Sequence, residues 1–286
     1  MNRWPGSAMV LLLGAAALFA ADPDVKIEHD LAYLGEQRAE KLDLYLPARV
    51  EKNERRPGIV IIHGGGWTGG TKRGAREQNI GTTLAKHGYV CISIDYVLAA
   101  KDKPTWPRNL HDCKTAVRWL RANADKYQVD PEHIGVIGGS AGGHLALMVG
   151  LPTPEAGLEP KEPYGQFSSK VQAVVDLYGP ADLVQRGKDH VMLPGTFAGQ
   201  PELYKQASPI TYARKGNPPV LIVHGTKDAT VPVEQSKLMA DALKAAGVEH
   251  ELILVEGAPH SFHLEPKEKD LRPAVVGFFN KHLKPK

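Results

Sequence analysis

Ile134-Gly135-Val136-Ile137-Gly138-Gly139-Ser140-Ala141-Gly142-Gly143-His144-Leu145 decides the fold. An apolar, β-like run enters a Gly-x-Ser-x-Gly pattern, and a small-residue, helix-compatible run leaves it. Strand, sharp turn and helix in that order are the setting of a nucleophile elbow. A serine on such a turn is held in strained backbone with its hydroxyl pushed into a cleft. Gly138 and Gly142 lack side chains where strand and helix approach closely. The helix that follows offers free N–H groups and the positive end of its dipole to a developing negative charge. A glycine-rich turn with a solvated serine has the same five-residue pattern, so the flanking chain must decide.

Working outward, the elbow strand has neighbours of the same kind. Gly58-Ile59-Val60-Ile61-Ile62 is a continuous β-branched run that ends in His63-Gly64-Gly65-Gly66-Trp67. Residues 89–94 form a second such run, ending at Asp95-Tyr96. Residues 171–177 close in Tyr178-Gly179-Pro180, and residues 219–223 end in His224-Gly225-Thr226-Lys227-Asp228. Residues 251–255 are followed by Gly257-Ala258-Pro259-His260. Helical periodicity covers 75–87, 107–124, 233–246 and 267–283, clearest where Leu110, Cys113, Val117, Leu120 and Ala124 recur at three- and four-residue steps. Residues 25–46 predict an edge hairpin whose second strand, 41–46, alternates polar and apolar as a half-exposed strand does. Residues 151–170 and 181–216 lack a clear period; the latter are expected over the sheet edge or the cleft.

Continuous buried runs alternating with helices predict an α/β fold with a mostly parallel central sheet covered by helices on both faces. Such sheets bind ligands at the carboxyl ends of their strands. His63, Ser140, Asp228 and His260 each follow a strand at that end.

The bulk of the chain narrows the function classes. The 286 residues carry a net charge of +3 with no lysine/arginine block, which suggests neither a nucleic-acid nor an anionic-membrane partner. Cys91 and Cys113 are too few for a disulfide framework and read as two buried thiols, a single bridge staying open. No Cys/His spacing resembles a metal site, and no cofactor is expected. Residues 1–21 combine Arg3 with an apolar stretch from Ala8 to Ala21, then break at Asp22-Pro23-Asp24. That is the length of a signal-peptide core, although the small-residue cleavage pattern is imperfect. The expectation is a secreted or periplasmic protein with one domain over 22–286 and no stable membrane association once the signal is removed.

A serine hydroxyl needs a general base within hydrogen-bond reach, and the base needs an acid to fix its tautomer. In this architecture they follow the nucleophile in the order acid, then histidine. Asp228 and His260 fit that order; Asp176, Asp182 and His263 compete for the two roles.

Residues 58–283 resemble an α/β-hydrolase esterase, close to the hormone-sensitive-lipase-like carboxylesterases and nearest to their bacterial feruloyl and acetyl-xylan esterase-like branch. The motifs that carry the resemblance are residues 63–67, Asp130-Pro131 through Leu145, 225–232 and His260-Ser261-Phe262. It implies Ser140 as nucleophile, His260 as general base and then acid, and Asp228 as the orienting carboxylate. It also implies an oxyanion hole from the N–H groups of Gly65, Gly66 and Ala141, each such donor being worth ~3 kcal/mol. Trp67 and Tyr178 are candidate substrate contacts. His63 reads as a residue that shapes the glycine loop, and His144 as packing behind the elbow. Three features depart from the lipase-like pattern: Gly139 stands where aspartate usually precedes the serine, Val97 where arginine is usual, and residues 22–57 have no room for a large helical cap. They favour an open-site esterase acting on short or aromatic acyl esters of plant polysaccharide. A prolyl-oligopeptidase-like peptidase and a non-catalytic binding protein on the same fold stay open as alternatives.

Overall fold

The computed structural model describes residues 22–49 and 54–284; the expected signal segment, 1–21, lies outside the described residues. Eight strands of the described residues form one sheet: β1 (Val25–Leu31), β2 (Leu42–Pro47), β3 (Arg56–Ile62), β4 (Val90–Ile94), β5 (Val129–Gly139), β6 (Ala173–Leu177), β7 (Val220–Gly225) and β8 (His250–Val255). Their spatial order is β1-β2-β4-β3-β5-β6-β7-β8. The first two pairings, β1 with β2 and β2 with β4, are antiparallel. From β4 to β8 every pairing is parallel. Among the described residues seven α-helices accompany them: α1 (Ala75–Lys86), α2 (Arg108–Ala122), α3 (Ala124–Tyr127), α4 (Ala141–Gly150), α5 (Pro201–Gln206), α6 (Glu234–Ala245) and α7 (Arg272–Leu283).

The continuous apolar runs are explained by two cores, one on each face. Successive residues of a strand point to opposite faces, and along β3 Val60 and Ile62 join one core while Ile59 and Ile61 join the other. The first core takes Leu110 and Val117 of α2, Leu145 and Val149 of α4, and Met239 and Leu243 of α6. The second takes Ile80 and Leu84 of α1 with Val275 and Phe279 of α7. Both cysteines are buried and free.

Two expectations change. Strand β2 is not half-exposed: Leu42, Asp43, Leu44 and Tyr45 are all buried. Asp43 is tolerated there because Arg73 Nε donates to it at 2.7 Å and His29 lies 2.8 Å away. The C-terminal helix begins at Arg272, not 267, with Pro273 in its first turn, where proline's missing N–H costs nothing. Residues 181–216 form an excursion containing α5 and a 3₁₀ turn, Pro209–Tyr212. It packs against the start of α2, where the Met192 carbonyl accepts from the N–H groups of Thr105 and Trp106 at 2.9 and 2.8 Å. Among the described residues no helix is long and apolar enough to cross a membrane.

Candidate active site

Loops at the carboxyl ends of β3, β5, β7 and β8 converge on Ser140. This residue stands between β5 and α4 with φ 58° and ψ −120°, a conformation that costs a side-chain-bearing residue about 1–3 kcal/mol. The surrounding packing enforces it. The Ser140 N–H donates to the Leu177 carbonyl at 2.8 Å. A Cβ at Gly138 would lie 2.2 Å from the Gly142 carbonyl oxygen, and one at Gly142 would lie 2.1 Å from that of Ile62. Trp67, Tyr178 and Ser261 also have positive φ, so backbone strain gathers at this end of the sheet.

Ser140 Oγ is 2.9 Å from His260 Nε2, and His260 Nδ1 is 2.6 Å from Asp228 Oδ2. An ionised carboxylate only accepts, so Nδ1 carries the proton, Nε2 is the bare nitrogen, and the serine hydroxyl donates to it. The Asp228 carboxylate is fully buried and the His260 ring is 14% exposed. Asp228 Oδ1 accepts from the N–H groups of Thr230 and Val231, each at 2.8 Å. Its other oxygen, Oδ2, has a second neighbour that sequence reasoning missed. His224 Nε2 lies 3.2 Å from Oδ2 and 2.9 Å from the Val231 carbonyl. Both neighbours accept only, so this nitrogen is the N–H, and Ser236 Oγ, 2.6 Å from Nδ1, donates to the ring. Burial holds His224 below the usual imidazole range, so it stays a neutral donor. The only signal in the sequence was its place at the end of β7.

The competitors lie elsewhere. Asp176 is buried behind the elbow: its Oδ1 accepts from the Gly179 N–H at 2.8 Å, and Oδ2 has no partner among the described residues. Burial pushes its carboxyl up to about 7. Asp182 accepts from the Gln185 N–H at 2.9 Å. His263 is exposed and accepts from the Glu265 N–H.

On the oxyanion side, Gly65 has φ 116° and Gly66 φ 61°, and both are exposed. The Gly65 carbonyl accepts from the N–H groups of Thr68 and Gly69, folding the loop back on itself. A Cβ at Gly65 would lie 2.2 Å from the Gly69 oxygen, and one at Gly64 would lie 3.3 Å from Ser140 Cβ. Among the described residues the N–H groups of Gly65 and Gly66 have no backbone acceptor. Ala141 opens α4, where N–H groups have no partner within the helix. His63 shapes the loop from below: its Nδ1 is 2.7 Å from the Gly64 carbonyl and its ring stacks on Tyr96 at 4.3 Å. His144 lies behind the elbow, its Nε2 2.7 Å from the Ala207 carbonyl.

The two expected substrate contacts are corrected. Trp67 is buried, its positive φ turning the side chain from the exposed glycines into the core, where its ring meets His144 and His190 edge-on at 5.2 Å. Tyr178 is also fully buried. Its ring packs on His260 at 5.0 Å and on Phe262 at 4.5 Å. Both rings pack beneath the loops of the site rather than forming its open surface.

A predominantly parallel sheet of this order, with a serine elbow after the central strand, defines the α/β-hydrolase fold. Residues 42–243 match the family model for BD-FAE, and the chain belongs to that family. It is similar to Esterase LipC of Mycobacterium tuberculosis, 36% identical over 219 residues that cover 73% of this chain and 53% of LipC. Esterase LipQ of the same organism is 32% identical, with 76% and 53% covered; the chain spans about half the length of these curated relatives. Among solved structures, a truncated carbohydrate esterase from gut microbiota superposes with a TM-score of 0.80 at 28% identity, covering 92% of this chain and 98% of that one. Propionate-bound esterase Est2 of Thermogutta terrifontis has a TM-score of 0.75 at 30% identity, with 92% and 97% covered.

Proposed function

We propose that the protein is a serine carboxylic-ester hydrolase that works through an acyl-enzyme. The observation that carries this reading is the chain of hydrogen-bond distances from Ser140 Oγ through His260 to Asp228. His260 Nε2 takes the serine proton as Oγ attacks the ester carbonyl. The resulting oxyanion is met by the N–H groups of Gly65, Gly66 and Ala141, the first two of which have no backbone acceptor among the described residues. His260 then returns the proton to the departing alcohol. In the second half it activates water against the acyl-enzyme, which releases the acid and restores Ser140. Asp228 holds the imidazole in the required tautomer and stabilises its cation.

The substrate class we infer is a short or aromatic acyl ester, such as an acetyl or feruloyl ester of plant polysaccharide. The exposed Gly65–Gly66 loop supports a site open to a bulky alcohol. Residues 22–47 form two sheet strands rather than a helical cap, which supports the same reading. The similar proteins include one described as a carbohydrate esterase and one with propionate bound. Export is part of the proposal, supported by the signal-like pattern of residues 1–21, and a nucleic-acid partner is not.

An ester panel tests this: acetyl, butyryl and octanoyl p-nitrophenyl esters, acetyl-xylan and methyl ferulate, with dipeptide anilides alongside. Turnover of acetyl or feruloyl substrates, lost by a factor of roughly 10⁴ or more in Ser140→Ala, is the expected result. Preference for octanoyl esters would overturn the carbohydrate reading, and preference for anilides would replace it with a peptidase.

A further inference from the structure

Gly139, the departure from the lipase-like pattern, has a physical cause in the structure. A Cβ at this position would lie 2.8 Å from Arg76 Cζ and Nε and 2.9 Å from Nη1. The guanidinium fills the volume that a side chain before the nucleophile would need. Arg76 comes from the first turn of α1, and its side chain is only 13% exposed. Its charge is met by buried Glu77, with Nε and Nη2 donating to Oε1 at 2.8 and 2.6 Å.

The same guanidinium reaches the other loops of the site. Nη2 is 2.9 Å from where a Cβ of Gly64 would sit, on the oxyanion loop. Nη1 donates to the Tyr178 hydroxyl at 3.1 Å. That hydroxyl in turn donates to the carbonyl of Phe262, two residues beyond His260. Burial pushes the Tyr178 phenol up to about 12 against the pull of Arg76, so the hydroxyl keeps its proton. The Tyr178 ring also packs directly on the His260 imidazole. One buried cation therefore touches the turn before Ser140 and the glycine loop, and through one hydroxyl it touches the segment carrying His260.

We propose that Arg76 is a positioning residue that couples the nucleophile turn to the His260 loop through Tyr178, and that residue 139 is glycine to leave the guanidinium its place. The proposal rests on the reading of Ser140 and His260 as a catalytic pair. Arg76 acts through the loops it touches, on the relative placement of the two reacting groups, where displacements of about 1 Å can cost up to roughly a hundredfold in rate.

The test is a double-mutant cycle on turnover of p-nitrophenyl acetate. Gly139→Ala displaces the guanidinium from its place beside the nucleophile turn and Tyr178, and Tyr178→Phe removes only the hydroxyl. Each is expected to lower kcat roughly tenfold with KM within about twofold. The double variant is expected to lose no more than the worse single one, because both break the same link. Multiplied losses in the double variant would overturn the coupling. Wild-type kcat in Tyr178→Phe alone would overturn it as well, whether or not Gly139→Ala folds. Full activity in Ser140→Ala would instead refute the catalytic pair itself, so the two failures are distinct.

Discussion

Two buried carboxylates belong to the ends of neighbouring strands, and the structure treats them in opposite ways. Asp228, beyond β7, has N–H groups around both oxygens: Thr230 and Val231 on Oδ1, His260 and His224 on Oδ2. Asp176, at the end of β6, has the Gly179 N–H on one oxygen and no partner among the described residues on the other. Burial alone disfavours a charge, and donors to the charged form offset that cost. Burial is common to both, so donors decide which carboxylate can support an imidazolium. Asp176 is left as a packing acid under the elbow, where its Oδ1 lies 2.2 Å from where a Cβ of Gly143 would sit.

The comparison breaks most visibly at Asp228. Asp228→Asn keeps the shape but presents the wrong partner to His260 Nδ1, and kcat for p-nitrophenyl acetate is expected to fall by roughly 10⁴. The matching Asp176→Asn is expected to leave kcat within about twofold. Its effect is on stability. Burial pushes the folded carboxyl up to about 7, well above the ordinary carboxylate range of about 4. Its stabilising contribution is therefore present below pH 4 and lost as pH rises through 7, on the order of 4 kcal/mol over that window. Thermal melts at pH 5 and pH 8 check this: Asp176→Asn should gain on the wild type at the higher pH. A smaller effect is expected at His224, whose N–H is one of four on Asp228. His224→Phe should lower kcat roughly tenfold with KM little changed, read by steady-state kinetics. Smallest of all is His263→Ala, expected within about twofold of wild type, since His263 is exposed and, among the described residues, bonded only within its own loop.

Most of the fold could be read from the chain because both-face burial leaves an unmistakable pattern: β3 and β4 are apolar at nearly every position. The misread strand, β2, alternates in sequence, but its Asp43 is buried by partners 14 and 30 residues away, His29 and Arg73. A local period cannot reveal partners so distant. The same limit applies at the site. Ser140, Asp228 and His260 were legible from chain order and strand ends. Arg76 and His224 were not, because their meaning lies in contacts with Tyr178 and Asp228 rather than in any motif. Trp67 and Tyr178 read as substrate contacts for a related reason: both have positive φ, and the turn in the backbone sends the ring inward where proximity in sequence suggests the cleft.

The central claim is that Ser140 is a nucleophile activated by His260. Treating the protein with a fluorophosphonate and locating the adduct by peptide mass spectrometry tests it most directly. One adduct on Ser140, lost in His260→Ala, is the predicted result; labelling at another residue, or none on Ser140, would contradict it.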